Sequence, residues 1–110
     1  VAMTYGKTEA KLEKGQRLLI VIALGYGETQ GIPHKSKPVS ELCRADEAAD
    51  WFERGMRAVC LAPTALNQQK FFFELKNGNV GARAGRGFYT DIDLGIAKYH
   101  FEAATGRHVM

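Results

Sequence analysis

The sequence predicts an α+β domain, on three observations. Lys70–Lys76 (K-F-F-F-E-L-K) alternates apolar and polar residues, with Phe71, Phe73 and Leu75 on one face, and runs into Asn77-Gly78. That dipeptide is a strong hairpin signal, because both central positions of the turn favour positive φ. Arg17–Leu24 (R-L-L-I-V-I-A-L) is apolar on both alternating faces and has strand length, the pattern of a strand covered on both sides near the centre of a sheet. Two further stretches carry helical apolar stripes, one before Pro63 and one after Asp93.

At 110 residues the chain is one domain. Its 45% hydrophobic and 25% charged composition is that of an ordinary globular protein. No run approaches the roughly 20 apolar residues of a membrane helix, and no basic-then-apolar signal segment opens the chain. Cys43 and Cys60 lack C-x-x-C spacing and paired histidines, so they read as buried, reduced thiols of a cytoplasmic protein and not as a disulfide or a metal site. The net charge of +3 is mild and spread out, without the dense basic face that nucleic-acid binding needs. The chain opens on Val1 without an initiator Met, which reads as a fragment or a processed chain.

Taken in order, residues 1–16 are a polar lead-in with a short edge strand expected at Lys7–Leu12. After the Arg17–Leu24 strand, Gly25–Ser40 is a loop with Gly25, Gly27, Gly31, Pro33 and Pro38. Its G-x-G after a strand is not a dinucleotide fingerprint, since the prolines keep the chain extended where a helix would have to open. Lys35 and Lys37, at i and i+2 of an extended segment, point the same way and suit a phosphate; alone, such a pair is more often a solvated basic loop.

A helix is expected to start near Asp46, with Asp46, Glu47 and Asp50 complementing its dipole. Its stripe contains Trp51 or Phe52, Gly55, Met56, Val59 and Cys60, and it stops at Pro63. Between helix and hairpin stand three amides, Asn67, Gln68 and Gln69. They either solvate a connection or face a flat, polar-edged ligand. Gly85-Arg86-Gly87 reads as a flexible bend. A final helix capped by Asp91 or Asp93 buries Leu94, Ala97, Phe101 and Ala104 and ends at Gly106, with His100 packed or solvated. No nucleophile elbow, H-E-x-x-H or metal-spaced carboxylate cluster is found, so redox or group-transfer chemistry here would come from a bound cofactor.

Ala62-Pro63-Thr64, Asn67 and Gln69 resemble the flavin-binding signature of the nitroreductase family, A-P-S/T-x-x-N-x-Q-P-W. Lys70 and Phe71 stand where that pattern has Pro and Trp. The upstream A-L-G-Y-G-E and H-K-S-K-P segments are similar to the family's late G-Y strand and its basic pair, and D-L-G-I-A-K-Y-H-F-E to its interface helix. The R-R-S-x-R segment of the family is not in this sequence. The order of the segments suits the subgroup called "putative TM nitroreductases", which looks like two half-units in tandem. The chain then resembles a C-terminal portion, with 1–42 the end of the first half-unit and 43–110 most of the second.

The resemblance implies a partial nitroreductase-like α+β fold, about one half-unit, with an antiparallel sheet flanked by helices. It implies FMN as cofactor, NAD(P)H as electron donor and a nitro or quinone acceptor reduced in ping-pong order. Pro63 and Thr64 would line the flavin, Asn67 would hydrogen-bond to it and Gln69 would support the loop. Lys35 and Lys37 would meet the phosphate, and Gly25 and Tyr26 would belong to the cofactor site. The implied partners are a small-molecule acceptor and either a second copy in a homodimer or a missing N-terminal half. Beside this reading stand a non-catalytic or flavin-sequestering half-domain and a small α+β interaction domain.

Overall fold

The computed structural model describes residues 11–110, and the chain divides into two compact units, Val1–Ile32 and Pro33–Met110. In the first unit, a turn at Lys14-Gly15 is closed by Gln16 N–H donating to Glu13 O at 3.0 Å. The strand expected at Arg17–Leu24 is not formed: no strand or helix is assigned over residues 11–32, and Ile22 and Leu24 are 71% and 100% exposed. A strand draws its stability from cross-strand neighbours, and no second strand among the described residues of this unit offers it a ladder. The edge strand expected at Lys7–Leu12 lies, except for its last two residues, outside the described residues.

The second unit is α+β. In chain order it contains α1 (Val39–Leu42), β1 (Cys43–Ala45), α2 (Asp50–Val59), a 3-10 turn (Ala65–Asn67), β2 (Phe71–Lys76), β3 (Asn79–Ala84) and α3 (Thr90–Thr105). The hairpin forms where the alternation placed it, with Asn77 at φ 52° and Gly78 at φ 77° and with Phe71 opposite Ala84 and Lys76 opposite Asn79. β1 joins the other edge of β2 in parallel, Cys43 opposite Phe73. The sheet is therefore mixed, in the order β1-β2-β3, and its antiparallel part is the hairpin.

α1 and β1 are too short for periodicity to reveal, and they displace the start of the next helix. α2 begins at Asp50 and not near Asp46. Asp46 instead closes the sheet edge: its N–H donates to Leu75 O at 3.1 Å and its carboxylate accepts the Asn77 N–H at 2.9 Å. α2 ends at Val59, short of Pro63, through a turn in which Leu61 and Ala62 donate to Ala58 O and Val59 O.

Phe52 faces the core and Trp51 is half-buried, with the Arg107 guanidinium 3.8 Å above its ring. The alternating face of β2 packs on the helices, Phe73 stacking on Phe101 at 5.7 Å. Phe101 also meets Phe52 at 5.8 Å and Trp51 at 6.5 Å. These rings, with Met56, Val59, Leu75 and Ala97, form the core. Of the small residues on α3, only Ala97 is fully buried; Gly95 has nothing within 4 Å of where a Cβ would stand. The close approach between the helices comes from α2, where Gly55 meets Phe101. Among the described residues no helix is long and apolar enough to cross a membrane.

Gly106 ends α3 in the left-handed region at φ 70°. Beyond it Val109 bridges to Val80 in parallel and is buried. Glu102 Oε1 holds this tail by accepting the Val109 N–H and His108 Nδ1, each at 3.0 Å. The Val109 N–H, with help from His108 and Lys98, keeps the Glu102 carboxyl below the usual carboxylate range. A depressed carboxyl stabilises the fold above its unfolded pKa and loses that contribution as pH falls through its folded pKa. Acidification below the carboxylate range is therefore expected to weaken the Glu102 hold on the tail, read as a titrating Val109 amide resonance, while the bridge to Val80 remains; Glu102→Gln should abolish that titration. A resonance that titrates unchanged in Glu102→Gln would refute the assignment.

Candidate functional site

The amide loop is built on strained backbone. Leu66, Asn67 and Gln69 have φ of 52°, 53° and 49°, a region that costs non-glycine residues about 1 kcal/mol or more each. Asn tolerates it best; Leu66 and Gln69 are held there by their surroundings. Thr64 Oγ1 accepts the Gln69 N–H at 3.1 Å, and Thr64 O and Ala65 O accept the Asn67 and Gln68 N–H groups, each at 3.0 Å.

From below, Asp93 Oδ1 accepts the Ala65 N–H at 3.0 Å and Oδ2 accepts Gln68 Nε2 at 2.7 Å. Asp93 is 3% exposed and has no cationic partner among the described residues. Its charge is met by these donors and by the N-terminal turn of α3. It is not the helix cap; Tyr89 holds that place, at φ 60°. The signal that Asp93 is a supporting residue was present in the sequence. Asp93, Ala97 and Phe101 fall at i, i+4 and i+8, so a carboxylate stands on the apolar stripe.

The lysine segment meets this loop. Gln69, 4% exposed, donates through Nε2 to Lys35 O at 2.8 Å and to Asn67 Oδ1 at 2.8 Å. Its Oε1 accepts the Lys37 N–H at 2.8 Å, and Asn67 Nδ2 donates to Lys35 O at 2.9 Å. On the other side, His34 Nε2 and Ser36 Oγ both donate to Cys60 O, at 2.8 and 2.9 Å. Cys60 O belongs to the end of α2, where carbonyls lack helical partners. His34 and Ser36 thus anchor the segment to α2, while Lys35 and Lys37 stay exposed. His100 performs the same service for Ala58 O at 3.1 Å.

Six of the expected site residues therefore lie in one unit. Pro63, Thr64, Asn67 and Gln69 stand on the loop, and Lys35 and Lys37 on the segment clamped to it. Gln69 supports, and Asn67 is exposed, with one amide N–H and oxygen lone-pair capacity beyond the bonds above. Gly25 and Tyr26 belong to the first unit, where both are exposed. Gln68 faces neither lysine; it ties the loop to Phe88 O at 2.8 Å and to Asp93.

The two cysteines are free and half-buried. Burial pushes both thiols up, and for Cys43 the charge of a Cys60 thiolate pushes further. Neither is suited to act as a nucleophile at neutral pH. Among the described residues no group of three His, Cys, Asp or Glu side chains is arranged to hold a metal ion.

The amide loop, with three residues at positive φ, and the lysine-bearing segment are thus joined by hydrogen bonds within one α+β unit. A family model described as "Putative TM nitroreductase" matches residues 1–105, and the chain belongs to that family. The family places it among the oxidoreductases of nitroreductase type. No curated protein and no solved structure matches it.

Proposed function

We propose that this chain holds FMN and serves NAD(P)H-dependent reduction of nitro- or quinone-type acceptors. One observation carries the reading beyond family membership. The signature loop and the lysine segment, over thirty positions apart, are joined through Gln69 and Asn67. The donor set fits the cofactor's chemistry. An amide that still has both a donor and an acceptor suits the polar edge of an isoalloxazine. Two exposed ammonium groups suit a phosphate dianion. The chemistry supplied by bound FMN is hydride acceptance from the reduced nicotinamide and delivery to the acceptor, in ping-pong order.

The residues divide the remaining work. Pro63 offers an apolar wall, and Thr64 fixes the Gln69 backbone. Asn67 orients the ring edge, while Lys35 and Lys37 meet the phosphate. Gln69 and Asp93 position these groups from beneath.

The test begins with flavin titration of the purified protein, followed by NADH or NADPH oxidation with a nitroaromatic or quinone acceptor. A colourless protein that binds no FMN even at high concentration would remove the proposal. FMN binding without turnover would favour a flavin-sequestering half-domain. Within the loop, Asn67→Gly keeps a residue that accepts left-handed φ and removes the amide, along with its bonds to Lys35 O and Gln69 Nε2. It is expected to weaken FMN about tenfold, the equivalent of roughly 1.4 kcal/mol. Gln68→Ala should chiefly lower the melting temperature, because its bonds run to Phe88 O and Asp93. Equal losses of FMN affinity in the two variants would contradict these roles.

A further inference from the structure

A second feature lies where β2 begins and β3 ends. A depression of about 260 Å³ is lined by Lys37, Glu41, Lys70 and Arg83 over a floor that includes Leu42 and Phe72. Its lining includes three basic residues against one carboxylate. Among the described residues, opposite charges pair only at Arg44–Glu74 and Glu102–His108, so none of the three cations is neutralised.

The side chains of Lys70 and Arg83 are held in place, and Lys37 is held at its backbone. Lys37 is fixed through its N–H to the buried Gln69. The Arg83 guanidinium lies 4.5 Å over the Phe72 ring, a stacking that leaves its N–H edge for an anion. Lys70 opens β2, its carbonyl accepting the Gly85 N–H at 2.8 Å, and its Nζ donates to Arg86 O at 3.2 Å. The G-R-G bend makes room for that side chain. A Cβ on Gly85 would stand 3.3 Å from Lys70 Cβ, and one on Gly87 would stand 3.1 Å from its Nζ. Three basic residues on the lining of one depression, none of them ion-paired, favour a dianion there.

We propose that this depression is a binding site for a phosphomonoester dianion, held by Lys37, Lys70 and Arg83. It deepens the flavin reading by adding Lys70 and Arg83 to the phosphate end, and it rests on that reading only for the choice of ligand. A phosphomonoester could come from FMN or from the 2′-phosphate of NADPH, and the two sources are separable.

The experiment compares FMN with riboflavin, NADPH with NADH, and inorganic phosphate alone, on the full chain, its Lys70→Gln and Arg83→Gln variants, and Arg83→Lys. All of these side chains are exposed, and a thermal melt checks folding. Each neutralising variant is expected to weaken inorganic phosphate about tenfold and to lower one of the two affinity ratios by the same factor. A fall in the FMN-to-riboflavin ratio assigns the site to the flavin phosphate; a fall in the NADPH-to-NADH ratio assigns it to the nicotinamide donor. Arg83→Lys should recover part of the loss, because it keeps the charge without the planar fork.

If FMN does not bind but phosphate binds and weakens in the variants, the flavin reading fails and this site stands. If FMN binds while both ratios and phosphate affinity stay unchanged in Lys70→Gln and Arg83→Gln, the site is overturned and the flavin reading survives.

Discussion

Gly55→Ala is expected to destabilise the fold by about 2–3 kcal/mol, even though alanine is the better helix former. A Cβ at this position would stand 2.3, 2.5 and 2.7 Å from carbons of the Phe101 ring. Those distances require something to move. Phe101 has no exposure, and its ring is boxed by Phe73, Phe52 and Trp51. The ring cannot swing aside without displacing three others, so the helices must separate. Against this, the propensity gain of alanine over glycine in a helix interior is about 1 kcal/mol. The net figure corresponds to a melting temperature lower by roughly 10–20 °C for a domain of this size. Gly95→Ala on α3 is the control: nothing stands within 4 Å of the new Cβ, so the propensity term acts alone and should raise the melting temperature slightly. A Gly55→Ala protein that melts within a degree or two of the parent would show that α2 and α3 can part cheaply.

What the sequence made legible follows from the range of the forces involved. The hairpin was readable because alternation and turn chemistry are local, and Phe71, Phe73, Leu75, Asn77 and Gly78 carry both within a few positions. The stop of α3 at Gly106 was readable for the same reason. Arg17–Leu24 misled because an apolar β-branched run states only a preference; the ladder that would realise it must come from elsewhere. β1 was invisible because a three-residue strand contains less than two periods. The signature residues were found by pattern. Their link to Lys35 and Lys37 was not, because Gln69 reaches those lysines through backbone atoms, which carry no sequence label. The depression was hidden likewise. Lys70 and Arg83 are unremarkable charges until the β2–β3 pairing brings them together, and Lys37 joins them only through Gln69.

Gln69→Leu tests the junction on which the site depends, and the expected result is a double loss. Gln69 is 4% exposed, and its amide joins the Lys37 N–H, Lys35 O and Asn67 Oδ1 at 2.8 Å each. Leucine has about the same volume and offers none of these contacts. Lys35 O would retain Asn67 Nδ2, but the Lys37 N–H and the inner side of the Asn67 amide would be left without their partner. Unpaired polar groups cost about 1–3 kcal/mol each when buried. Because the lysine segment can lift toward water and recover part of that, about 2–4 kcal/mol is expected in all. The same lifting should cost the ligand site. Once the segment leaves the loop, Lys35 and Lys37 no longer stand at a fixed distance from Asn67, and FMN should weaken more than in Asn67→Gly. Hydrogen exchange distinguishes this from general unfolding. The Lys37 amide should lose protection in Gln69→Leu while the β2–β3 ladder amides keep theirs, since the core beneath contains no part of the clamp. Protection lost equally at Lys37 and throughout the ladder would mean that Gln69 holds the whole fold together and not the junction. Unchanged protection at Lys37 would mean that His34 and Ser36 suffice to anchor the segment to α2.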